Sequence, residues 1–118
     1  MLKEKLYSTS TMVGDTAVLM LRGSYDSDIV KSLALSIKTD KQPKVAFVAA
    51  THHNDKPMLT IALSDDLVKE GKNAGLIIRE AAKLIQGGGG GQPGFAQAGG
   101  KNVAGLDDAL KNIIEQLA

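Results

Sequence analysis

The chain has 118 residues, enough for one domain around one hydrophobic core and too few for a multidomain enzyme. Apolar residues make up 43% and charged residues 23%, ordinary globular usage, and the absence of cysteine excludes a disulfide framework, a thiolate metal site and a cysteine nucleophile. With a formal net charge of only +1, any affinity for nucleic acid has to come from a local basic patch.

Met1 to Leu6 is charged and carries no signal-peptide pattern, and no apolar run approaches the roughly 18 residues of a membrane span. The expectation is a soluble, cytoplasmic protein with no membrane partner. Leu6 to Val13 alternates Leu, Ser, Ser, Met with Tyr, Thr, Thr, Val, which predicts a first strand. Gly14-Asp15 predicts a hairpin turn into a second strand over Ala17 to Leu21. Ser24 to Ser27 supplies N-cap candidates, and Ile29, Val30, Leu33, Ala34 and Ile37 then recur at helical spacing. Lys41-Gln42-Pro43 breaks that pattern, and Lys44 to Ala50 reads as a strand covered on both faces. Thr51 to Lys56 is polar and turn-like, and Met58 to Leu63 alternates with Leu59, Ile61 and Leu63 on one face, giving a second hairpin.

Ser64-Asp65-Asp66 predicts a short capped helical turn through Glu70, ended by Gly71. From Asn73 onward Ala74, Ile77, Ile78, Ala81, Ala82 and Ile85 form an apolar helical stripe, with Arg79, Glu80 and Lys83 outward. A glycine-rich loop, residues 86–101, follows directly, and a closing helix beginning at Asn102 or Gly105 buries Leu106, Leu110, Ile113, Ile114 and Leu117. The expected fold is a single α/β domain, residues 1–118, in the order β-β-α-β-β-α-loop-α. A helical crossover makes the second and third strands parallel, so about four strands form a mixed sheet packed by helices.

The loop is the unusual feature, holding 8 of the 13 glycines. Without Cβ atoms a backbone admits a phosphate or a groove closely, successive N–H groups can form an anion-binding nest, and Lys101 adds charge. Pro93, Phe95, Ala96 and Ala98 are anchors for a segment folded back on the domain, where a flexible linker would gain little from them. Gly89, Gly91 and Gly94 match G-x-G-x-x-G after a helix instead of a strand, and Lys101 is followed by Asn102 where a Walker loop needs Ser or Thr. No nucleotide cofactor is predicted.

His52 and His53 are adjacent and on a turn point apart, so they offer no one-face metal pair. Asp65-Asp66 and Asp107-Asp108 both stand at predicted helix starts, where carboxylates cap and complement the dipole. Neither a metal site nor a catalytic residue is predicted. Between residues 69 and 101 the five basic residues Lys69, Lys72, Arg79, Lys83 and Lys101 face two acidic ones, Glu70 and Glu80, a local excess suited to phosphate contacts. Two Tyr, two Phe and no Trp leave little for base stacking, against a reader of single strands.

Gly87 to Pro93 followed by Ala96-Gln97-Ala98-Gly99-Gly100-Lys101 resembles the signature of the C-terminal globular (C-Ala, DHH-associated) domain of alanyl-tRNA synthetase. The resemblance extends upstream through Ser64 to Val68 and Ala81 to Ile85, downstream through Leu106 to Leu110, and takes in about two-thirds of the chain. It implies a non-catalytic tRNA-binding module of an alanine–tRNA ligase that docks on the outer corner of tRNA and helps couple aminoacylation and editing. The implied partners are alanine-specific tRNA, the aminoacylation and editing domains, and a second copy in a homodimer. The implied RNA-contact region is the glycine loop (Gly88, Gly89, Gly90, Gly91, Gly99 and Gly100), Gln97 and Lys101; Arg79 and Lys83 are added on charge alone. Two alternatives stay open. One is an accessory domain of a DHH-type phosphoesterase binding substrate phosphate, although Gln92-Pro93 stands where those relatives carry a histidine. The other is a structural dimerisation module.

Overall fold

The computed structural model describes residues 2–39 and 44–117. Helix α1 (Leu2–Ser8) leads into β1 (Thr11–Val13), β2 (Thr16–Ser24), α2 (Ser27–Lys38), β3 (Val45–His53) and β4 (Lys56–Leu63). Then come α3 (Asp65–Lys69), α4 (Ala74–Ala82) with a 3₁₀ turn over Lys83–Ile85, β5 (Gly88–Gln92), β6 (Phe95–Gly99), a second 3₁₀ turn (Val103–Gly105) and α5 (Leu106–Leu117). The sheet among the described residues has six strands in the order β1-β2-β3-β4-β6-β5. β2 and β3 run parallel, as the helical crossover between them requires, and every other pair is antiparallel.

Local chemistry accounts for the boundaries. Gly14 takes φ +64° in the β1–β2 turn, and Asn54 and Asp55, at +53° and +61°, form the two-residue turn that keeps the twist of β3 and β4. The Asp26 carboxylate accepts the N–H of Asp28 at the start of α2, and the Asn73 side chain accepts that of Leu76 at the start of α4. Ser64 opens α3 without capping it; its hydroxyl accepts the Val45 N–H at 3.1 Å and ties the end of β4 to the start of β3.

Each face of the sheet carries its own core. Val18, Val48, Leu59, Ile61, Ala96 and Ala98 pack against α3, α4 and α5, where Leu67, Ile78 and Ile113 are buried. Leu19, Leu21, Phe47 and Ala62 pack on the other side against Leu6 of α1 and Val30, Ala34 and Ile37 of α2. The helices do not cover the two faces equally: α4 lies across β4, β6 and β5, whereas α2 lies over β3 and β4. The α2-side face of β6 and β5 is therefore left open beside that helix.

Three expectations change. Leu6 to Ser10 is the end of a helix and its exit, and only Thr11 to Val13 is strand: Ser8 and Thr9 donate their hydroxyls to the Lys5 carbonyl, closing α1 instead of extending a strand. The sheet has two more strands than expected, because the glycine-rich segment is a β-hairpin and not a loop. His52 and His53 are the last residues of β3 and not part of its turn. The predicted break at Lys41-Gln42-Pro43 lies outside the described residues.

Candidate nucleic-acid interface

The hairpin is made of β5, the Pro93-Gly94 turn and β6, with Gln92 opposite Phe95, Gly90 opposite Gln97 and Gly88 opposite Gly99. Its turn is fixed to the domain: Leu63 donates to the Gly94 carbonyl at 2.9 Å and Ala74 to that of Pro93 at 2.8 Å. At its other end the Gly87 N–H reaches Ala82 at 2.9 Å and the Lys101 N–H reaches Ile85 at 2.8 Å. It is a built surface and not a tether. It is also not a nest, which needs alternating right- and left-handed backbone. The positive-φ glycines among the described residues are Gly14, Gly23 and Gly71, none of them in the run.

The glycines divide by what a side chain would meet. A Cβ on Gly87, Gly89 or Gly91 would stand closer than 3.0 Å to a carbonyl oxygen of β6, and one on Gly100 as close to that of Ile85. These four are demanded by close packing. Gly88 and Gly90 would point a Cβ into open space, and Gly99 would meet only the Pro57 carbonyl at 3.9 Å. Nothing in the fold requires glycine at these three positions, and by the pairing they share the α2-side face with Gln97. The result is a patch of bare backbone on the uncovered part of the sheet. Gly88 and Gly90 belong to β5, an edge strand, whose outward N–H and C=O groups are open to a partner on one side.

Cations border the ribbon on both sides. On the α4 side a cavity of about 270 Å³ brings Arg79 and Asn73 to Gly89, Gly90 and Gly91. On the α2 side a groove of about 480 Å³ brings Lys31 and Lys38 to Gly90, Gln92, Phe95 and Gln97. Gln97 is half-buried, its amide donating weakly to Thr60 Oγ1 at 3.4 Å. The other expected cations lie apart from both hollows: Lys83 is exposed and 3.4 Å from Glu80, and exposed Lys101 follows the far end of β6. Lys31 and Lys38 are the residues missed in sequence, their one signal being the spacing of Lys31, Leu35 and Lys38 along one side of α2 around an exposed leucine.

Other polar residues have structural duties. Asp107 accepts from Arg22 Nε at 2.8 Å and lies in the first turn of α5, while Asp65 accepts from Lys38 at 3.4 Å in the first turn of α3. His52 and His53, successive in a strand, face opposite sides of the sheet. Among the described residues no three His, Asp or Glu side chains gather as a metal site, and no helix is long and apolar enough to cross a membrane.

Comparison with known proteins agrees with this architecture. The chain is 44% identical over 114 residues to the alanine–tRNA ligase of Bacteroides thetaiotaomicron and 45% identical over 114 residues to that of Parabacteroides distasonis. In both cases 97% of this chain is covered, and it spans only 13% of the relative's length. The crystal structure of the C-Ala domain from Aquifex aeolicus alanyl-tRNA synthetase superposes with a TM-score of 0.81 at 28% identity, covering 92% of this chain and 97% of that one. A DHH-domain structure described as a member of a family of ribosomal proteins shares the fold alone, with a TM-score of 0.67 at 10% identity over 98% of this chain and 30% of its own. The DHHA1 domain model matches residues 14–118, from the β1–β2 turn onward and through the whole β5–β6 hairpin. By that match the chain belongs to the DHHA1 domain family.

Proposed function

We propose that this chain is a non-catalytic tRNA-binding module of an alanine–tRNA ligase that docks on the outer corner of folded tRNA and helps bring aminoacylation and editing to one tRNA in the cytoplasm. The observation that carries the reading is the set of glycines at 88, 90 and 99, which the fold does not need and which leave one face of the hairpin bare, with Gly90 in hollows that also hold Lys31, Lys38 and Arg79. A phosphodiester backbone is recognised through cations and through open N–H donors such as those along the β5 edge, and a folded RNA through the shape of a surface, without stacking aromatics. The likeness to alanine–tRNA ligases and to a C-Ala domain supplies the class of partner. The contact surface in this reading is the hairpin, with Gly88 to Gly91, Gly99, Gly100, Gln97 and Arg79 at its centre and Lys83 and Lys101 at its margin.

The test is a titration of alanine-specific tRNA, another elongator tRNA and a short unstructured RNA. Both folded tRNAs should bind more tightly than the single strand, with affinity falling as salt rises. Equal or tighter binding of the single strand sinks the reading. Addition of divalent metals should elicit no phosphoesterase, aminoacylation or deacylation turnover.

A further inference from the structure

The groove between α2 and the β5–β6 hairpin has a floor and a wall of different chemistry. Its floor is Gly90, Phe95 and Gln97; its wall is Lys31, Leu35 and Lys38, at positions i, i+4 and i+7 of α2 and so on one side of that helix. The two lysines are not equivalent. Lys38 is partly neutralised by Asp65, its Nζ 3.4 Å from the carboxylate, and its side chain lies over Gly94, where an added Cβ would stand 2.8 Å away. Lys31 is exposed and has no ion-pair partner among the described residues. Gln97 Nε2 is engaged by Thr60, and its carbonyl oxygen has no partner among the described residues. Leu35 is exposed and Phe95 half-buried, which gives the groove an apolar stretch beside the free cation and the free acceptor.

A free cation, an apolar slot and an amide acceptor in one groove match the three parts of a nucleotide: phosphate, the flat faces of sugar and base, and a donor on a base edge or the ribose 2′-hydroxyl. We propose that this groove is a subsite for one RNA nucleotide, in which Lys31 holds the phosphate, Leu35 and Phe95 line the base and ribose, and the Gln97 amide oxygen accepts from a ribose hydroxyl or a base amino group. The proposal rests on the RNA-binding reading and adds to it a recognition element on α2, a helix outside the glycine signature. Bare Gly90 at the floor lets the sugar lie against the backbone, and a side chain there would occupy the slot.

The chain is titrated with the four nucleoside monophosphates, with inorganic phosphate and with the tRNA transcript while the Lys31 ammonium and Gln97 side-chain amide are followed by heteronuclear NMR. Nucleotides and tRNA should move both signals, and inorganic phosphate only that of Lys31. Lys31→Gln should weaken tRNA binding several-fold and lower the slope of log affinity against log salt by about one. Gln97→Ala should weaken tRNA binding with the salt slope unchanged. A Gln97 signal that stays still with every nucleotide and with tRNA overturns the subsite, even if Lys31→Gln weakens binding, because long-range charge would then account for that loss. Should tRNA bind and respond to Arg79→Gln but not to Lys31→Gln or Gln97→Ala, the subsite falls and the RNA-binding reading stands. Should nucleotides titrate the groove while tRNA does not bind, the subsite stands and the tRNA reading falls.

Discussion

Gly75 of α4 faces Gly91 of β5 so closely that a methyl group on Gly75 would stand 2.9 Å from the Gly91 carbonyl oxygen. A methyl on Gly91 would in turn press even closer on the Phe95 carbonyl of β6. Helix, edge strand and inner strand are thus held together through backbone with no room for side chains. Gly75→Ala and Gly91→Ala should each destabilise the domain by about 1–3 kcal/mol, the usual cost of overpacking. In the same strand Gly90→Ala adds its methyl in open space with no positive φ to strain it, and should stabilise by about 0.4–1 kcal/mol by restricting the unfolded chain. Urea denaturation of the three variants checks this opposition of sign; equal effects at 90 and 91 would refute it.

That alternation explains what sequence could and could not convey. β2, α2, β3, β4, α4 and α5 were legible because each buries residues at its own period and carries its own turn or cap, such as Asp26 and Asn73. β5 was not legible, because five residues of Gly-Gly-Gly-Gly-Gln have almost the lowest intrinsic preference for a strand. Tertiary demands decide it: Gly89 and Gly91 are glycine so that the backbones can meet, and the signal for that lies in Ala96 and Ala98 opposite, not in the run itself. At the other end of the chain Thr and Ser suggested strand, and the hydroxyl bonds of Ser8 and Thr9 to Lys5 turned them into a helix exit. Arg79 beside the hairpin was legible from charge. Lys31 was not, because nothing local announces that a helix more than fifty residues upstream borders the same ribbon.

Ile78 is fully buried between α4 and the sheet. Truncation to alanine should cost about 2–5 kcal/mol, the transfer term plus a cavity. Ile78→Asp should abolish the cooperative unfolding transition, since it leaves an unpaired charge in the core. A thermal melt of Ile78→Asp close to wild type would show that α4 is not held by this stripe.

Lys44 Nζ lies 2.5 Å from Asp15 and 2.7 Å from Glu70, joining the β1–β2 turn, the start of β3 and the end of α3. The hydrogen bond from Lys44 holds the Asp15 carboxyl below its ordinary range, and hydrogen bonds to Asp15 and Glu70 raise the lysine. The Asp15 contribution is therefore present above the unfolded carboxylate value and lost as pH falls through the lowered folded one. The Lys44 contribution is present below the unfolded ammonium value and lost as pH rises through the raised folded one. The Tm advantage of wild type over Lys44→Met should be level through neutrality and shrink below about pH 4 and above about pH 10. It should also shrink in high salt, since the three groups face solvent. An advantage unchanged at about pH 3 would remove the Asp15 carboxylate from the account.

The hairpin offers a separation of binding from folding at one residue. Gly90 lines both hollows, is opposite Gln97, and leaves its Cβ direction empty. Valine there keeps extended backbone, suits a strand, and places two methyl groups over the face on which Gly88 and Gly99 are bare. Gly90→Val should therefore unfold no earlier than wild type and bind alanine-specific tRNA about tenfold more weakly, some 1.4 kcal/mol. Lys101→Glu, at the margin, should also weaken tRNA binding, and its effect should fade as salt rises because it acts through charge at an exposed site. The loss at Gly90 is steric and should persist in salt. If Gly90→Val remains folded and binds tRNA like wild type at every salt concentration, RNA does not approach the bare face of the hairpin, and the glycines at 88, 90 and 99 are left without a purpose in binding.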